Sequence, residues 1–427
     1  MGANATGAIR ACGIDIDKRW LWACVHIIEP NRKIKERFRQ FDNDQAGIRK
    51  LRTWLKRQKV TDVAFESTGV YWQMLYDSLS NTCDVIVGNP LQMKGLRGYK
   101  TDRGDGRWIV TLLRAGAIKP SFIPPREIRE LRLLTRQYHK IVQDRSRNKN
   151  RTIKTLRQVG ITIDGCMSDV FCKTGRAMIE ALIRGEGAEV VASLGTRLKA
   201  THIGILTTLE GAPMCANHCD VVGRYYRAMI SQERETTELW SRIETAARPF
   251  EESIRLLTTI PGINRKAAIY VIAEIGVDMD VFGSVKRLSS WAGLCPGNNS
   301  SGGKRKSGRS SSGNQYLRAI LAQAAWAAIR TKGSVFREFY YSNRERLGHN
   351  NKAAFAVAHK LLRVCFAVLR NKEEYVMAHS DNIAHRARNV RKQLRRATTD
   401  ELLQEINRRI ESDTLEMSSQ HTAALLG

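Results

Sequence analysis

The sequence contains no long uninterrupted hydrophobic run. Its most apolar stretches, residues 319–329 and 353–369, are short or are interrupted by Lys and Arg. Because a membrane-spanning helix needs about 20 consecutive apolar residues, we expect both stretches to be buried helices and expect no membrane partner. The first residues also lack a basic segment followed by an apolar run, which predicts a cytoplasmic protein without a secretory signal.

Acidic residues are few relative to basic ones. The 427 residues include 42 Asp and Glu against 70 Lys and Arg, which leaves a formal net charge of +28. So large a cationic excess suits a protein that neutralises phosphate groups and releases their counterions. Nucleic acid is therefore the predicted partner, and an anionic membrane surface is the weaker alternative.

Nine cysteines are scattered along the chain without the close spacing of a small disulfide-bonded domain. This distribution predicts free thiols in a reducing compartment. A zinc site is the alternative interpretation, with the candidate ligands Cys166, Cys172, Cys215, His218 and Cys219. Their Cys-x5-Cys and Cys-x2-His-Cys spacings match no common zinc motif, so we favour thiols that bind no metal.

The first 120 residues alternate between strand and helix patterns. Strands are predicted at 10–17, 21–28, 34–41, 63–66 and 85–88, and amphipathic helices at 45–58 and 70–79. Three consecutive strands followed by alternating helices and strands is the order of an RNase H-like α/β domain. We assign this domain to residues 8–120.

The remainder of the chain is predicted to be mainly helical. A long helix over 126–158 follows the break at Pro124 and Pro125. We divide the chain after the α/β domain into a helical, coiled-coil-like linker at 121–235, a helical domain at 236–375, and a tail at 376–427. The tail is basic and then acidic and polar, a composition that predicts partial disorder.

The 126–158 helix has a cationic excess, with eleven Lys or Arg against three acids. A solvated helix face is the ordinary interpretation of such a pattern. The net charge of the whole chain favours instead a surface that lies along a phosphate backbone. The candidate nucleic-acid contacts are Arg145, Arg147, Lys149 and Arg151.

Acids in the N-terminal domain stand where a substrate can reach them. Asp15 lies near the end of the first predicted strand, and Glu66 ends a later one. Asp102 and Asp105 are three apart, a spacing that puts both on one face of a helix. Converging carboxylates repel one another unless cations lie between them, and a pair of Mg²⁺ ions supplies that charge and can clamp a phosphodiester. Each acid taken alone could instead cap a helix or pair with an arginine.

Asp17 complicates this assignment, because it is only two residues from Asp15. In a strand, residues two apart point to the same face, so Asp17 is expected beside Asp15. We rank Asp15 first.

Two features of the helical domain predict phosphate contacts. Gly262, after Pro261, separates two amphipathic helices, as in a helix-hairpin-helix whose backbone N–H groups bind a phosphate. An ordinary helical turn has the same pattern. A Gly- and Ser-rich stretch at 297–313 has flanking helices and an internal cationic cluster, which favour a binding loop over a plain linker. Its cations are Lys304, Arg305, Lys306 and Arg309.

Three motifs in this order resemble the DEDD transposases of insertion sequences, the bridge-RNA-guided recombinases with a RuvC-like first domain. They are Gly-Ile-Asp-x-x-Lys at 13–18, Glu-x-Thr-Gly-x-Tyr at 66–71 and Lys-Thr-Asp-x-x-Asp at 100–105. The second domain is similar as well, with the Pro-Gly hairpin, Trp-Ala-Gly-Leu-x-Pro at 291–296, a Ser-Gly step, and Ser-x-x-Gly-x-x-x-Leu-Arg at 310–318. Gly106 stands where the family usually has Ala, which predicts a looser helix there.

The resemblance implies a catalytic, Mg²⁺-binding site made of Asp15, Glu66, Asp102 and Asp105. It places the nucleophile at Ser301, in the Ser-Gly step, with the adjacent Ser300 as the alternative. The implied reaction passes through a covalent phosphoserine and needs no ATP, which fits the lack of a Gly-x4-Gly-Lys loop. The implied partners are donor and target DNA, a non-coding guide (bridge) RNA, and further copies of the chain in a tetramer with composite active sites.

Two other functions share most of these features. A RuvC-like, Mg²⁺-dependent junction nuclease has the same metal site but attacks the phosphodiester with water, so that Ser301 would only fill its loop. A non-catalytic nucleic-acid-binding protein would keep the fold without using the acids. A covalent protein–DNA adduct separates the recombinase from the nuclease, and acids that can be replaced without effect indicate the binding protein.

Overall fold

The computed structural model describes residues 10–67, 69–89, 93, 102–195, 198, 200–295, 299–301, 304–307, 313–376 and 404, with the backbone alone at 102–103, 299–301 and 304–307. The chain divides into two compact units, Met1–Pro125 and Arg126–Gly427. Each unit is described by itself below.

The N-terminal unit is built on a mixed five-stranded sheet. Its strands are β1 (Arg10–Ile16), β2 (Trp20–Ile28), β3 (Ile34–Asp42), β4 (Asp62–Glu66) and β5 (Asp84–Gly88). Their spatial order is β3-β2-β1-β4-β5. The β1–β2 and β2–β3 pairs are antiparallel, whereas β4 lies parallel to both β1 and β5. The five predicted strands are confirmed, and this order is consistent with an RNase H-like domain.

Helices cover both faces of this sheet. They are α1 (Gln45–Arg57), α2 (Trp72–Leu79) and α3 (Asp102–Arg114). Because side chains alternate along a strand, Cys12, Ile14 and Ile16 of β1 enter the core that α1 and α2 form on one face. Ala11 and Ala64 lie on the opposite face, in the core that α3 covers.

The second unit is mainly helical. Its helices are α4 (Arg126–Gln158), α5 (Lys173–Ile183), α6 (Ala188–Ser193), α7 (His202–Leu209), α8 (Ala216–Ala247), α9 (Glu251–Thr258), α10 (Arg265–Ile275), α11 (Val285–Trp291), α12 (Gln315–Arg330), α13 (Val335–Leu347) and α14 (Asn350–Asn371). Three short 3-10 turns lie at Ile163–Gly165, Arg248–Phe250 and Asp280–Phe282. A two-stranded hairpin consists of β6 (Asn299–Ser301) and β7 (Lys304–Ser307).

The two longest helices, α4 and α8, pack side by side in opposite directions. The Tyr138 ring of α4 lies 5.4 Å from the Trp240 ring of α8. Further along α4, the Asn148 amide donates at 3.1 Å to Gln232, which precedes Trp240 in α8, so the two helices run in opposite directions. The predicted boundary at 235/236 falls inside α8, whose buried positions continue on both sides of it. The α5, α6 and α7 helices share a core with the ends of this helix pair.

Helix α10 lies at the centre of the C-terminal helices. Every residue from Ala267 to Ile275 is buried, because α4, α9 and α12 all pack against it. Within the described residues, no helix combines the length and the apolar composition needed to cross a membrane.

Candidate active site and nucleic-acid interface

Two glycines let α3 lie directly on β1. A Cβ added to Gly13 would overlap the carbonyl oxygen of Gly106 and the backbone nitrogen of Val110. A Cβ on Gly106 would lie 3.0 Å from the Trp22 carbonyl oxygen. Helix α3 continues through Gly106 to Arg114 without interruption, although a looser helix was expected there. The glycine instead allows a close contact between the helix and the sheet. The first turn of α3 is thereby fixed over the carboxyl end of β1.

Asp15 and Glu66 lie on the sheet face that α3 covers. Asp15 follows Gly13 by two residues on β1, and Glu66 follows Ala64 by two on β4. The two strands are parallel neighbours with Ile14 opposite Phe65, so the next residue of each strand is an acid. Both acids are half-buried. The backbone register therefore places the positions of Asp15 and Glu66 next to each other at one end of the sheet.

The other two acids belong to the first turn of α3. Asp102 begins the helix, and Asp105, which is half-buried, immediately precedes Gly106. The side chain of Asp102 lies outside the described residues. Because Gly106 contacts β1, Asp105 is held at the same end and on the same face of the sheet as Asp15 and Glu66.

The donor set fits a hard divalent cation in its chemistry, since carboxylate oxygens are the ligands that Mg²⁺ prefers. Among the described side chains, however, no group of three or more His, Cys, Asp or Glu residues is positioned to share one metal ion. The described carboxylates would have to move closer together to bind one ion. The residues that would hold the metal are Asp15, Glu66 and Asp105, together with Asp102.

Asp17 lies outside this arrangement. Strand β1 ends at Ile16, so the alternation that was expected to place Asp17 beside Asp15 does not reach it. The exposed Asp17 carboxylate instead accepts a hydrogen bond from the Arg19 backbone N–H at 2.9 Å. Hydrogen bonds from the backbone N–H groups of Arg19 and Lys18 lower the pKa of Asp17. Asp17 thus shapes the turn between β1 and β2, which supports the choice of Asp15.

A buried histidine, His26, with the partly exposed Glu36 and Arg107 beside it, was not predicted from the sequence. The His26 side chain is only 4% exposed, and its Nε2 lies 3.2 Å from Glu36 Oε1, without the alignment of a hydrogen bond. Arg107 of α3 lies 2.7 Å from the other oxygen of Glu36. Burial lowers the pKa of His26, and the Glu36 carboxylate acts in the opposite direction. The ion pair ties α3 to β3 two residues beyond Asp105.

The candidate nucleophile lies in the β6–β7 hairpin of the second unit. In its register Ser301 stands opposite Lys304, and Ser300 opposite Arg305. The backbone thus places two of the predicted phosphate-binding cations across from the two candidate serines. Lys306 is also on β7, whereas Arg309 lies outside the described residues.

The Pro-Gly hairpin joins α9 to α10, as predicted. Gly262 has a φ of +87°, and a Cβ there would lie 2.7 Å from the Ala328 Cβ of α12. The two cations that follow Gly262 contact other side chains of the protein. Arg265 forms an ion pair with Glu244 at 2.8 Å, and Lys266 donates a hydrogen bond to the Tyr138 hydroxyl at 2.8 Å. These contacts give Gly262 a packing role, and phosphate binding by this hairpin stays a prediction.

The candidate RNA-binding residues of α4 separate into two groups. Arg147 and Arg151 are exposed, whereas Arg145 and Lys149 are half-buried. The half-buried pair faces Glu233 of α8, whose pKa is lowered mainly by its hydrogen bond with Arg176 and less by the charges of Arg145 and Lys149. The exposed pair is therefore the better candidate for contact with a phosphate backbone.

Of the cysteines proposed as zinc ligands, Cys172 and Cys215 cap helix starts, Cys219 lies in the first turn of α8, and Cys166 follows the 3-10 turn Ile163–Gly165. Cys172 accepts a hydrogen bond from the Gly175 backbone at 3.4 Å, and Cys215 lies 3.1 Å from His218 Nδ1. Cys219 contacts the carbonyl oxygen of Leu182 at 3.4 Å. All nine cysteines are free thiols, and these local contacts account for the positions of the three.

Comparison with known proteins relates both units to transposases. Residues 12–161 match the IS110 DEDD model, described as "Transposase", and residues 254–341 match the model "Transposase IS116/IS110/IS902 family". The first match contains the four acids, and the second contains Gly262, Ser301 and the cations of β7.

Individual relatives agree with these matches. The chain is 24% identical to the pilin gene-inverting protein of Moraxella bovis over 379 residues, which are 85% of this chain and 96% of that protein. It is 28% identical to an insertion element IS900 42 kDa protein of Mycobacterium paratuberculosis over 58% of this chain and 65% of that protein. It is 29% identical to the transposase for insertion sequence element IS1111A of Coxiella burnetii over 36% of this chain and 43% of that protein.

Proposed function

Because the chain carries the DEDD and IS116/IS110/IS902 domains of IS110-family transposases, we propose that it is an RNA-guided recombinase that cleaves and rejoins DNA with Ser301 as nucleophile. One observation carries the catalytic part of this proposal. The parallel strands β1 and β4 place Asp15 and Glu66 side by side near their carboxyl ends, and the Gly13–Gly106 contact fixes the first turn of α3 over them.

DEDD transposase domains generally use divalent metal ions, and we propose Mg²⁺, with two ions, for this site. When bound, the cations polarise the phosphodiester and stabilise the negative charge that builds up during its displacement. The protein's part is to hold four carboxylates at one sheet edge. Their mutual repulsion in the free protein favours cation uptake.

The proposed chemistry is two successive phosphoester exchanges. In the first, Ser301 Oγ forms a bond to phosphorus and loses its proton, while the P–O3′ bond breaks and the 3′ oxygen takes up a proton. A phosphoserine and a free 3′-hydroxyl result. In the second, a 3′-hydroxyl attacks the phosphoserine on the partner DNA, the P–Oγ bond breaks, and the serine regains its proton. Each step makes one phosphoester for each that it breaks, so no ATP is required.

Charge on the second unit supports a role in holding phosphates. Lys304 is paired with Ser301 in the hairpin register, and its ammonium group would offset the charge of a nearby phosphate. The acids and Ser301 belong to different compact units. We propose that a tetramer brings the acids of one copy to the serine of another.

The exposed cations of α4 are the proposed binding surface for a guide RNA. Base pairing of that RNA with donor and target DNA would then provide sequence specificity, and the protein would recognise shape and charge. Sequencing the RNA that copurifies with the protein identifies the guide and defines the DNA substrates for the tests below.

The decisive test is a trapped covalent intermediate. A duplex that is nicked near the cleavage site loses its short 3′-hydroxyl fragment, so the second exchange cannot occur. The wild-type protein should then form a protein–DNA adduct that survives denaturation and carries its phosphate on a serine. Wild-type cleavage that yields free 5′-phosphates and no adduct would favour the water-using junction nuclease, and no cleavage at all would favour a binding protein.

A further inference from the structure

A buried carboxylate of the second unit lies at the point where the chain enters α12, after the Ser301 hairpin. We propose that Glu274 is a positioning residue for the segment that carries Ser301, and that it acts through Asn314. This inference rests on the proposed nucleophilic role of Ser301.

Glu274 is an unexpected residue at its place in the core. It lies near the end of α10, its side chain is 1% exposed, and the helix residues on either side are buried and apolar. A carboxylate in such surroundings is costly unless charged or polar partners satisfy it, and an apolar side chain would often be equally stable there. The presence of the acid therefore calls for an explanation beyond packing.

Three side chains satisfy this carboxylate. Arg136 of α4 donates to both oxygens, at 2.8 Å each. Arg132 lies 3.6 Å away, and it also donates to the backbone carbonyls of Ala273 and Glu274 at the end of α10. The Asn314 amide donates to Glu274 Oε2 at 2.6 Å. Burial lowers the pKa of Arg132 to about 10, so it still carries its charge at neutral pH.

Asn314 joins this network to the start of α12. Its Oδ1 accepts hydrogen bonds from the backbone N–H groups of Tyr316 and Leu317, at 3.0 and 3.1 Å. An Asn or Ser oxygen is sufficient for such a cap. The hydrogen bond that Asn314 Nδ2 donates to Glu274 is not needed for capping. It fixes the position of the cap relative to α10.

The two ends of the serine segment meet at this point. Gly313 has a φ of +43°, and a Cβ there would overlap the backbone of Ala292 and Gly293. The chain thus passes this contact at Ala292 and Gly293 and returns to it at Gly313, and Ser301 lies between them in the sequence. A displacement of Asn314 would move one end of that segment relative to the other.

The same network reaches the basic helix. The Arg136 guanidinium lies over the Tyr316 ring at 4.7 Å, so it contacts both Glu274 and the first turn of α12. Arg132 and Arg136 belong to α4, which also carries the exposed Arg147 and Arg151. Glu274 therefore connects the proposed RNA-binding helix to the end of the serine segment through direct contacts.

The test is Asn314→Ser in the full chain. The serine hydroxyl keeps the cap of α12 but cannot reach Glu274 as the longer amide does. We expect the rate of adduct formation on the nicked duplex to fall by about tenfold to a hundredfold, since a misplacement of about 1 Å can cost this much. The melting temperature and the DNA affinity should stay close to those of the wild type. Asn314→Asp, which caps equally well but sets a second carboxylate against Glu274, should reduce the rate further.

The control is Thr201→Ser, a cap-retaining substitution at the start of α7, where Thr201 Oγ1 accepts from the Gly204 backbone at 3.1 Å. It should leave the adduct rate unchanged. An adduct rate in Asn314→Ser within about twofold of the wild type, or a decrease matched by equal decreases of melting temperature and affinity, would overturn the positioning role. If the wild type forms no adduct, the proposed nucleophile is what fails. Glu274→Gln is less informative, because it leaves two arginines near a neutral buried group and can prevent folding.

Discussion

Gly13 of β1 and Gly106 of α3 meet backbone to backbone, and a Cβ built on Gly106 would lie 3.5 Å from the Gly13 carbonyl oxygen. A side chain at Gly13 has less room than one at Gly106, since a Cβ on Gly13 would overlap the carbonyl oxygen of Gly106. This contact sets the height of α3 above the sheet, and therefore the position of Asp105 relative to Asp15.

The contact predicts unequal effects of two alanine substitutions. Gly13→Ala must push α3 away from the sheet, so it should lower the melting temperature and strongly reduce DNA cleavage. Gly106→Ala meets its nearest neighbour, the Trp22 carbonyl oxygen, at 3.0 Å, which a shift of a few tenths of an ångström relieves. Thermal melting and a cleavage assay on both variants test this, and equal behaviour of the two would contradict the packing argument.

The acids at the start of α3 should be required for cleavage but not for binding. Asp102→Ala or Asp105→Ala should abolish DNA cleavage while nucleic-acid affinity is retained, and the melting temperature of the metal-free protein should stay equal or rise because repulsion is relieved. Asp17→Asn is the matched control, since Asp17 shapes a turn beyond the end of β1. Wild-type cleavage that persists in excess EDTA would refute the metal site.

The buried His26 predicts a pH dependence of stability. Its pKa is lowered from the ordinary value of 6.5, so the unfolded chain binds this proton more readily than the folded one. The free energy of unfolding should be fully retained above about pH 6.5 and should decrease as the pH falls from there towards the folded-state pKa. His26→Gln should reduce this decrease. Urea unfolding over a pH series measures it, with the exposed His202→Gln as control, and identical pH profiles for wild type and His26→Gln would speak against the effect.

The exposed cations of α4 should determine how RNA binding depends on salt. Replacement of both Arg147 and Arg151 by Gln should lower the slope of log affinity against log salt by roughly one for each phosphate that is no longer neutralised. The same change at Arg184, an exposed arginine that lies outside α4 and, like Arg147, pairs with a neighbouring acid, should have little effect. A slope that is unchanged in the double variant would place the RNA on another surface.

The sequence was informative where local periodicity decides the structure. The hydrophobic strand patterns predicted Asp15 near the end of β1 and Glu66 at the end of β4, and the spacing of Asp102 and Asp105 predicted one face of a helix; that β1 and β4 are neighbours is known only from the structure. The two-residue period of a strand failed at Asp17, because the strand ends one residue earlier. The long helix at 126–158 followed from its apolar spacing and from the two prolines before it.

What the sequence could not predict depends on contacts between distant segments. The approach of His26, Glu36 and Arg107 requires the β2–β3 register and the crossing of α3. In the sequence, Glu274 has the pattern of a residue on the polar face of an amphipathic helix. Only the packing of α4, α9 and α12 around α10 buries it. Residues 121–235 were predicted to form a helical linker, whereas α5, α6 and α7 pack with the ends of α4 and α8 into a shared hydrophobic core.

The assignment of the nucleophile gives the sharpest prediction, because Ser300 and Ser301 are adjacent in β6 and are paired with different residues of β7 in the backbone register. If Ser301 attacks the DNA, Ser301→Ala should remove both the adduct and recombination, since water cannot conserve the phosphoester for strand joining. Ser300→Ala should retain at least part of the adduct, because its role would be limited to the shape of the hairpin. Peptide mapping of the adduct by mass spectrometry identifies the modified serine directly. An adduct that survives Ser301→Ala but disappears in Ser300→Ala would move the assignment by one residue, to the position opposite Arg305.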